Sequence, residues 1–196
     1  MQKIEEIECF DVVIGPAQNG RGGQTLSITD SKNDPIILQL GSTDHPLRSP
    51  FGAGVYGDQA AQDKATRLNL DLTVHDHPLL LNKLRELDSA IFSSLQSSDL
   101  KIKSLDDAYR PIVIEDAKYG TQRIRCKLQL TGMHATKCWH TDHSRIDDPK
   151  SIDFRECPCV PVVQVKNVWV MQKDMGVVLE LKHVVVTKEV SSFPLV

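Results

Sequence analysis

No run of about 18 apolar residues occurs in the 196-residue chain, so no segment reaches the length of a membrane-spanning helix. The first ten residues, MQKIEEIECF, place acids where a secretory leader carries a basic segment and then an apolar one. An intracellular chain is expected. Cysteine is sparse, at five residues, and an odd number does not build the even disulfide framework of a small secreted fold. Reduced thiols or a metal site are the readings that remain. There is no G-x-x-x-x-G-K-[ST] phosphate loop, no nucleophile elbow and no G-x-G-x-x-G fingerprint, and Gly52-Ala53-Gly54 has no helical pattern after it. Enzyme readings therefore begin without a motif. Internal repeats, low-complexity blocks and an acidic tail are also lacking.

Positive charge is in deficit too. A net charge of −3 and a pI near 6.1 exclude a wholly basic nucleic-acid coat, because phosphate binding requires local cations whose counterions are released. One basic groove on an otherwise negative surface still satisfies that need.

What is present is mostly β pattern over a 40% hydrophobic composition, sufficient for the core of one domain. Ile4 to Ile14 reads as a first strand, closed by Gly15-Pro16, and Thr25 to Thr29 as a second. Ile36 to Leu40 fits a buried strand. Residues 41–63 combine Pro46, Pro50 and several glycines with Phe51 and Tyr56 in a long loop. Leu68, Leu70, Leu72 and Val74 alternate with Arg67, Asn69, Asp71 and Thr73, the period of a strand covered on one side. A helix then starts at Asp76-His77-Pro78, with Leu80, Leu84, Leu87, Ile91 and Leu95 on one stripe. Ser97 to Asp107 is a polar linker, Ile112 to Ile114 resumes β character, and Lys118-Tyr119-Gly120 is a turn. After the strand Arg123–Leu130, residues 131–159 have little period. Val160–Met171 and Val177–Thr187 are long strands around an Asp174-Met175-Gly176 turn. Strands on both sides of a single good helix predict a mainly β fold, a barrel or sheet capped by that helix.

The strand from Arg123 carries the sharpest chemistry. Ile124, Cys126, Leu128 and Leu130 alternate with Arg123, Arg125, Lys127 and Gln129, so the polar side chains share a face at intervals of roughly 6.5–7 Å. That is near the repeat of phosphates along a nucleic-acid strand. The plainer alternative is a solvated strand kept soluble by charge. Arg67 on another strand, Lys118 and Lys173 at turns, and the aromatics Phe51, Tyr56, Tyr119, Trp139 and Trp169 give it company. Cations along a backbone beside aromatic platforms make sequence-tolerant single-strand binding. Trp169 among valines divides evenly between core and stacking roles; Trp139, in a polar stretch, reads as exposed.

Cys138, His140, His143, Cys157 and Cys159 are the metal-like set. Thiolate and imidazole suit zinc, but C-x-H-x2-H and C-P-C depart from the usual pair spacings. Ordinary hairpin residues are the competing reading. A hydrolytic zinc site would further need a carboxylate such as Asp142, Asp147 or Asp148 beside an open coordination position.

The order of short motifs over residues 35–188 resembles a family of single-stranded DNA-binding proteins of large eukaryotic DNA viruses, related in fold to phage helix-destabilising proteins. The motifs are Pro35–Leu40, Ser49-Pro50-Phe51-Gly52, the strand from Arg67, Leu87-Asp88, Tyr109-Arg110-Pro111-Ile112-Val113, the cationic strand, and Val165–Val178 with Trp169, Lys173 and Gly176. The resemblance implies an elaborated oligonucleotide/oligosaccharide-binding (OB) barrel of antiparallel strands with one main helix and long loops. It implies a non-catalytic protein that coats single strands in viral replication, repair or recombination, in the host nucleus or a cytoplasmic replication site. Its partners would be single-stranded DNA, replication proteins and further copies of itself. One domain over 1–196 is expected, with a loop at 41–63 and a His/Cys-rich insertion at 131–159 outside the family pattern. In this reading Arg67, Lys118, Arg123, Arg125, Lys127 and Lys173 hold phosphates, while Phe51, Tyr56, Tyr119, Trp139 and Trp169 stack bases. A viral structural or assembly protein, and a zinc-dependent enzyme, are the alternatives from other classes.

Overall fold

Residues 2–20, 23–55, 64–98, 104–117 and 120–187 are described by a computed structural model. In chain order the strands before the main helix are β1 (Gln2–Lys3), β2 (Val13–Gly20), β3 (Gly23–Thr29), β4 (Ile37–Gln39), β5 (Ala53–Gly54) and β6 (Arg67–Thr73). Helix α1 (Pro78–Gln96) and the single turn α2 (Leu105–Ala108) follow. Then come β7 (Tyr109–Arg110), β8 (Val113–Asp116), β9 (Thr121–Gln129), β10 (Lys137–His140), β11 (Arg145–Ile146), β12 (Cys159–Val170) and β13 (Met175–Val186).

Five segments close into a ring. β4 pairs antiparallel with β12, β12 with β13, and β6 with β9, while β9 and β13 run parallel through Leu179 opposite Cys126 and Glu180 opposite Lys127. The dipeptide Leu47-Arg48 completes the circuit. Leu47 and Cys159 exchange backbone hydrogen bonds of 2.8 Å each, and the Arg48 carbonyl accepts from the Thr73 amide at 2.9 Å and its hydroxyl at 3.1 Å. The chain from β4 to Arg48 thus serves as one strand that turns from β12 to β6. Gly41 makes that turn: its φ is +70°, and a Cβ there would lie 2.7 Å from the His45 carbonyl.

Counting that composite as the first strand, β6, β9, β12 and β13 as the second to fifth give the neighbour order 1-2-3-5-4-1, the topology of an OB barrel. The expected mainly β barrel with one main helix and long loops is what forms. Around this ring β9–β13 is the parallel pair among the antiparallel ones, and the outlying pairs β1–β4, β7–β13 and β10–β13 are parallel as well. The β9–β13 pair follows from arithmetic, since directions cannot alternate all the way around a closed ring with an odd number of strands.

The period-two residues fill the barrel. Leu68, Leu70 and Leu72 from β6, Ile124, Cys126 and Leu128 from β9, and Leu179 and Leu181 from β13 are all buried. Helix α1 begins with Pro78 at its first turn, where no N–H is missed. It buries Leu80, Leu84, Leu87, Ile91 and Leu95 as the stripe predicts, each removal from water being favourable by about 1.5–3 kcal/mol. The helix is tied to the sheet through Asp88, whose Oδ1 accepts from the Tyr109 hydroxyl at 2.6 Å and the Ile112 amide at 3.2 Å. Phe92 meets the Tyr109 ring edge-on at 5.3 Å between centroids. Burial raises the Asp88 carboxyl above its usual range despite both donors, and drives the Tyr109 phenol far up.

Several sequence boundaries shift. Ile4–Glu6 is a 3-10 turn in place of the start of a strand, with Ile4 fully buried. The three-residue spacing of Ile4 and Ile7 suits such a turn, and β2 starts only at Val13. The linker ends in α2. The final hairpin turns one step early, since Met175 and Gly176 already pair in β13 with Val170 and Trp169. The insertion is not featureless, because β10, β11 and a 3-10 turn at Pro149–Ser151 lie within it.

Tyr109→Phe should remove one donor from a half-buried carboxylate and lower stability by about 1–2 kcal/mol. A urea titration would show this as a lower midpoint with an unchanged slope.

Candidate nucleic-acid interface

Because side chains alternate across a strand, burying Ile124, Cys126 and Leu128 forces Arg123, Arg125, Lys127 and Gln129 outward. Register with β6 sets their neighbours: Thr73 lies opposite Arg123, Asp71 opposite Arg125, Asn69 opposite Lys127, and Arg67 opposite Gln129. The cationic face is therefore two strands wide, with acceptors built into it. Asp71, only 6% exposed, accepts from Arg125 Nε at 2.7 Å and Nη2 at 2.9 Å, and from Arg123 Nη1. Asn69 accepts from Lys127 Nζ. On β13, Glu180 is 1% exposed and accepts from Lys182 Nζ at 2.5 Å, from Lys166 Nζ, and from Gln129 Nε2 at 3.5 Å. A bidentate, charge-assisted pair fixes the plane of a guanidinium, so these cations are held in place.

Two grooves open on this face. One, of about 760 Å³, takes Arg67, Arg110, Arg125, Lys127 and Lys166 around Trp169, Met171 and Thr25, with Glu180 in its lining. Trp169 is half-buried, and its indole lies against Gly176, where a Cβ would sit 3.1 Å from the ring. The other groove, of about 750 Å³, takes Phe51, Asn69, Asp71 and Arg123, and Lys150 to Arg155 from the insertion. Phe51 is 63% exposed, and the Arg123 guanidinium stands 5.7 Å from its ring centroid.

Electrostatics follow from this packing. Burial, then the neighbouring Arg67 and Arg125 charges, hold the Lys127 ammonium below its usual range. An arriving phosphate would offset the repulsion from both arginines. Burial pulls the Glu180 carboxyl upward, but hydrogen bonds and charge from Lys166 and Lys182 outweigh it and leave the carboxyl below its ordinary value.

Of the residues singled out in the sequence, the structure brings Arg67, Arg125, Lys127 and Trp169 to one groove and Phe51 and Arg123 to the other. Tyr56, Lys118 and Tyr119 lie outside the described residues. Lys173 is exposed at the β12–β13 turn and lines neither groove. Trp139, expected to be exposed, is half-buried on β10 between Val185 and Arg145 and also lies outside both grooves. Sequence reasoning missed Arg110, Lys166, Lys150, Arg155 and the two carboxylates. Lys166 and Glu180 had a signal, a polar residue at period two within a valine-rich strand. Lys150 and Arg155, in an aperiodic stretch, had none.

The metal-like set does not converge. Among the described residues no three His, Cys, Asp or Glu side chains are arranged to hold a metal ion. Cys138 and Cys159 point into the core, where burial pushes their thiols up to about 11 and about 12. His143 is exposed in a tight turn with φ of +66°.

The depressed Glu180 carboxyl gives a pH signature. Its stabilisation is complete above its ordinary value of 4.5 and is lost as pH falls through the lower folded value. Glu180→Gln should cost on the order of 1–3 kcal/mol near neutrality, and urea midpoints of variant and parent should converge on acidification. A gap that is constant with pH would contradict the ion-pair role.

No protein-family model and no curated protein sequence matches the chain. Solved structures do. The single-stranded DNA-binding protein gp2.5 encoded by bacteriophage T7 superposes with a TM-score of 0.51 at 12% identity, over 82% of this chain and 90% of that one. The single-stranded DNA-binding protein of bacteriophage Enc34, in complex with single-stranded DNA, superposes with a TM-score of 0.54 at 11% identity, over 92% and 98%. Its C-terminal truncation gives 0.51 at 12% identity over the same shares. At such identities the likeness establishes the fold: the chain has the OB-type architecture of these phage proteins.

Proposed function

We propose that this protein binds single-stranded DNA, without catalysis, along the outward face of β6, β9, β12 and β13. The observation that carries the proposal is the set Arg67, Arg125, Lys127 and Lys166 beside Trp169 on one groove wall system. OB barrels take oligonucleotides on the face of their second and third strands, flanked by the loops after the first and fourth. Here those strands are β6 and β9, and those loops carry Phe51 and Met171. The phage proteins of the same architecture are described as single-stranded DNA-binding proteins, which supports the reading.

Chemistry favours a single strand over a duplex. A stacked base contributes about 1–3 kcal/mol, and its face is accessible only when the base is unpaired. Cations fixed by Asp71 and Glu180 lose little side-chain entropy on meeting phosphates. Fewer of their charges are uncompensated, so binding should be confined to the groove. Phe51 and Arg123 extend the same face. The motif resemblance supports a viral setting inside an infected cell, with the protein covering strands exposed in replication, repair or recombination as one domain over 1–196.

Fluorescence anisotropy with labelled oligo-dT should show binding at low salt that weakens as salt rises, and far weaker binding to duplex of equal length. Lys127→Ala should lower the slope of log affinity against log salt by about 0.7, the share of one phosphate contact on a single strand. Absence of oligo-dT binding at low salt would remove the proposal.

A further inference from the structure

The insertion at 131–159 has a position that its sequence did not suggest: its last turn lines the groove of Phe51. The Arg155 side chain lies against the Phe51 turn, since a Cβ on Gly52 would come 3.3 Å from Arg155 Cγ. Its guanidinium is oriented by Asp153, through Nε at 3.0 Å and Nη2 at 2.9 Å. The Phe51 turn is itself fixed. Ser49, 4% exposed, accepts from the Gly52 amide at 3.0 Å, and Gly52 holds a φ of +72°. An aromatic ring 63% exposed on a hydrogen-bonded turn, backed by the Arg123 guanidinium, presents a free face.

We propose that Phe51 and Arg155 form a second nucleotide subsite, in which a base stacks on Phe51 and its phosphate meets Arg155, so that the insertion lengthens the DNA path beyond the barrel face. This rests on the single-strand reading above. Three observations converge on it. The groove joins an aromatic platform to guanidinium groups from two different parts of the chain, Arg123 from β9 and Arg155 from the insertion. Its two carboxylates, Asp71 and Asp153, are already engaged by arginines, so they orient the cations. The subsite also continues the first groove: Arg123 lines this one and Lys127 the other. Four residues apart on β9, they are separated by about 13 Å, two steps of an extended strand. At roughly 6.5–7 Å per phosphate that is about two nucleotides, so a dinucleotide fits within the Trp169 groove and a longer strand reaches the insertion.

The test compares a thymidine dinucleotide with oligo-dT of about fifteen nucleotides, a length within the range of OB-fold footprints, on the full chain, Phe51→Ala and Arg155→Glu. Both side chains are exposed, and unchanged thermal melts would verify folding. The expected result is that each variant binds the longer oligonucleotide at least about fivefold more weakly, the loss of one stacked base accounting for Phe51→Ala, and that Arg155→Glu binds the shorter one as the parent does. Arg155→Glu should also lower the salt slope on the longer oligonucleotide by about 0.7 or more. Parental affinity of both variants for the longer oligonucleotide would overturn the subsite. An equal loss at both lengths for Arg155→Glu would do so as well, by placing Arg155 in the primary groove. Failure of the parent protein to bind either length would instead defeat the single-strand reading itself.

Discussion

Two buried carboxylates lie among the outward cations of this barrel, and the character of that face depends on them. Asp71 on β6 takes hydrogen bonds from both Arg123 and Arg125, and Glu180 on β13 takes them from Lys166 and Lys182. Removing one partner of such a buried pair leaves an uncompensated charge, which is costlier than the pair is stabilising. The arrangement therefore constrains both strands. It also sets the functional electrostatics: arginines that would otherwise sample many rotamers are held across β6 and β9 at defined rungs.

That constraint reaches the remainder of the fold through register. Asp71 can meet Arg125 only because β6 and β9 pair with Leu70 opposite Cys126 and Leu72 opposite Ile124; a slip of one residue would turn the leucines outward and the ion pairs into the core. Barrel closure at Leu47-Arg48 holds the far edge of β6. The Asp88 contacts hold β7 and so Arg110, which reaches the groove and bonds Asp174 at the hairpin turn. Helix, closure and hairpin thus all contribute to the shape of one surface.

Much of this was legible in the chain because it depends on local alternation. The inward set of β6 and β9, the stripe of α1 and the outward cations follow from spacing alone, and all four adopt the faces their period predicts. What was hidden depends on pairing partners distant in sequence. Nothing near Arg123 shows that Asp71, 52 residues earlier, will lie beneath it, and nothing in the stretch around Arg155 shows that it will pack against Gly52. The parallel β9–β13 pair is a property of ring closure and has no local signature. Cys138 and Cys159 resembled ligands because thiols serve in cores and metal sites alike, and the two uses differ in whether further donors converge on the sulfur.

Photo-crosslinking tests the proposed interface most directly. Ultraviolet irradiation of the protein with oligo-dT, followed by mass spectrometry of the digest, should attach thymidine to the β12 peptide containing Trp169 and to the loop peptide containing Phe51. Adducts confined to the β10 peptide with Trp139, or to the outer surface of α1, would contradict the assignment of this face as the interface.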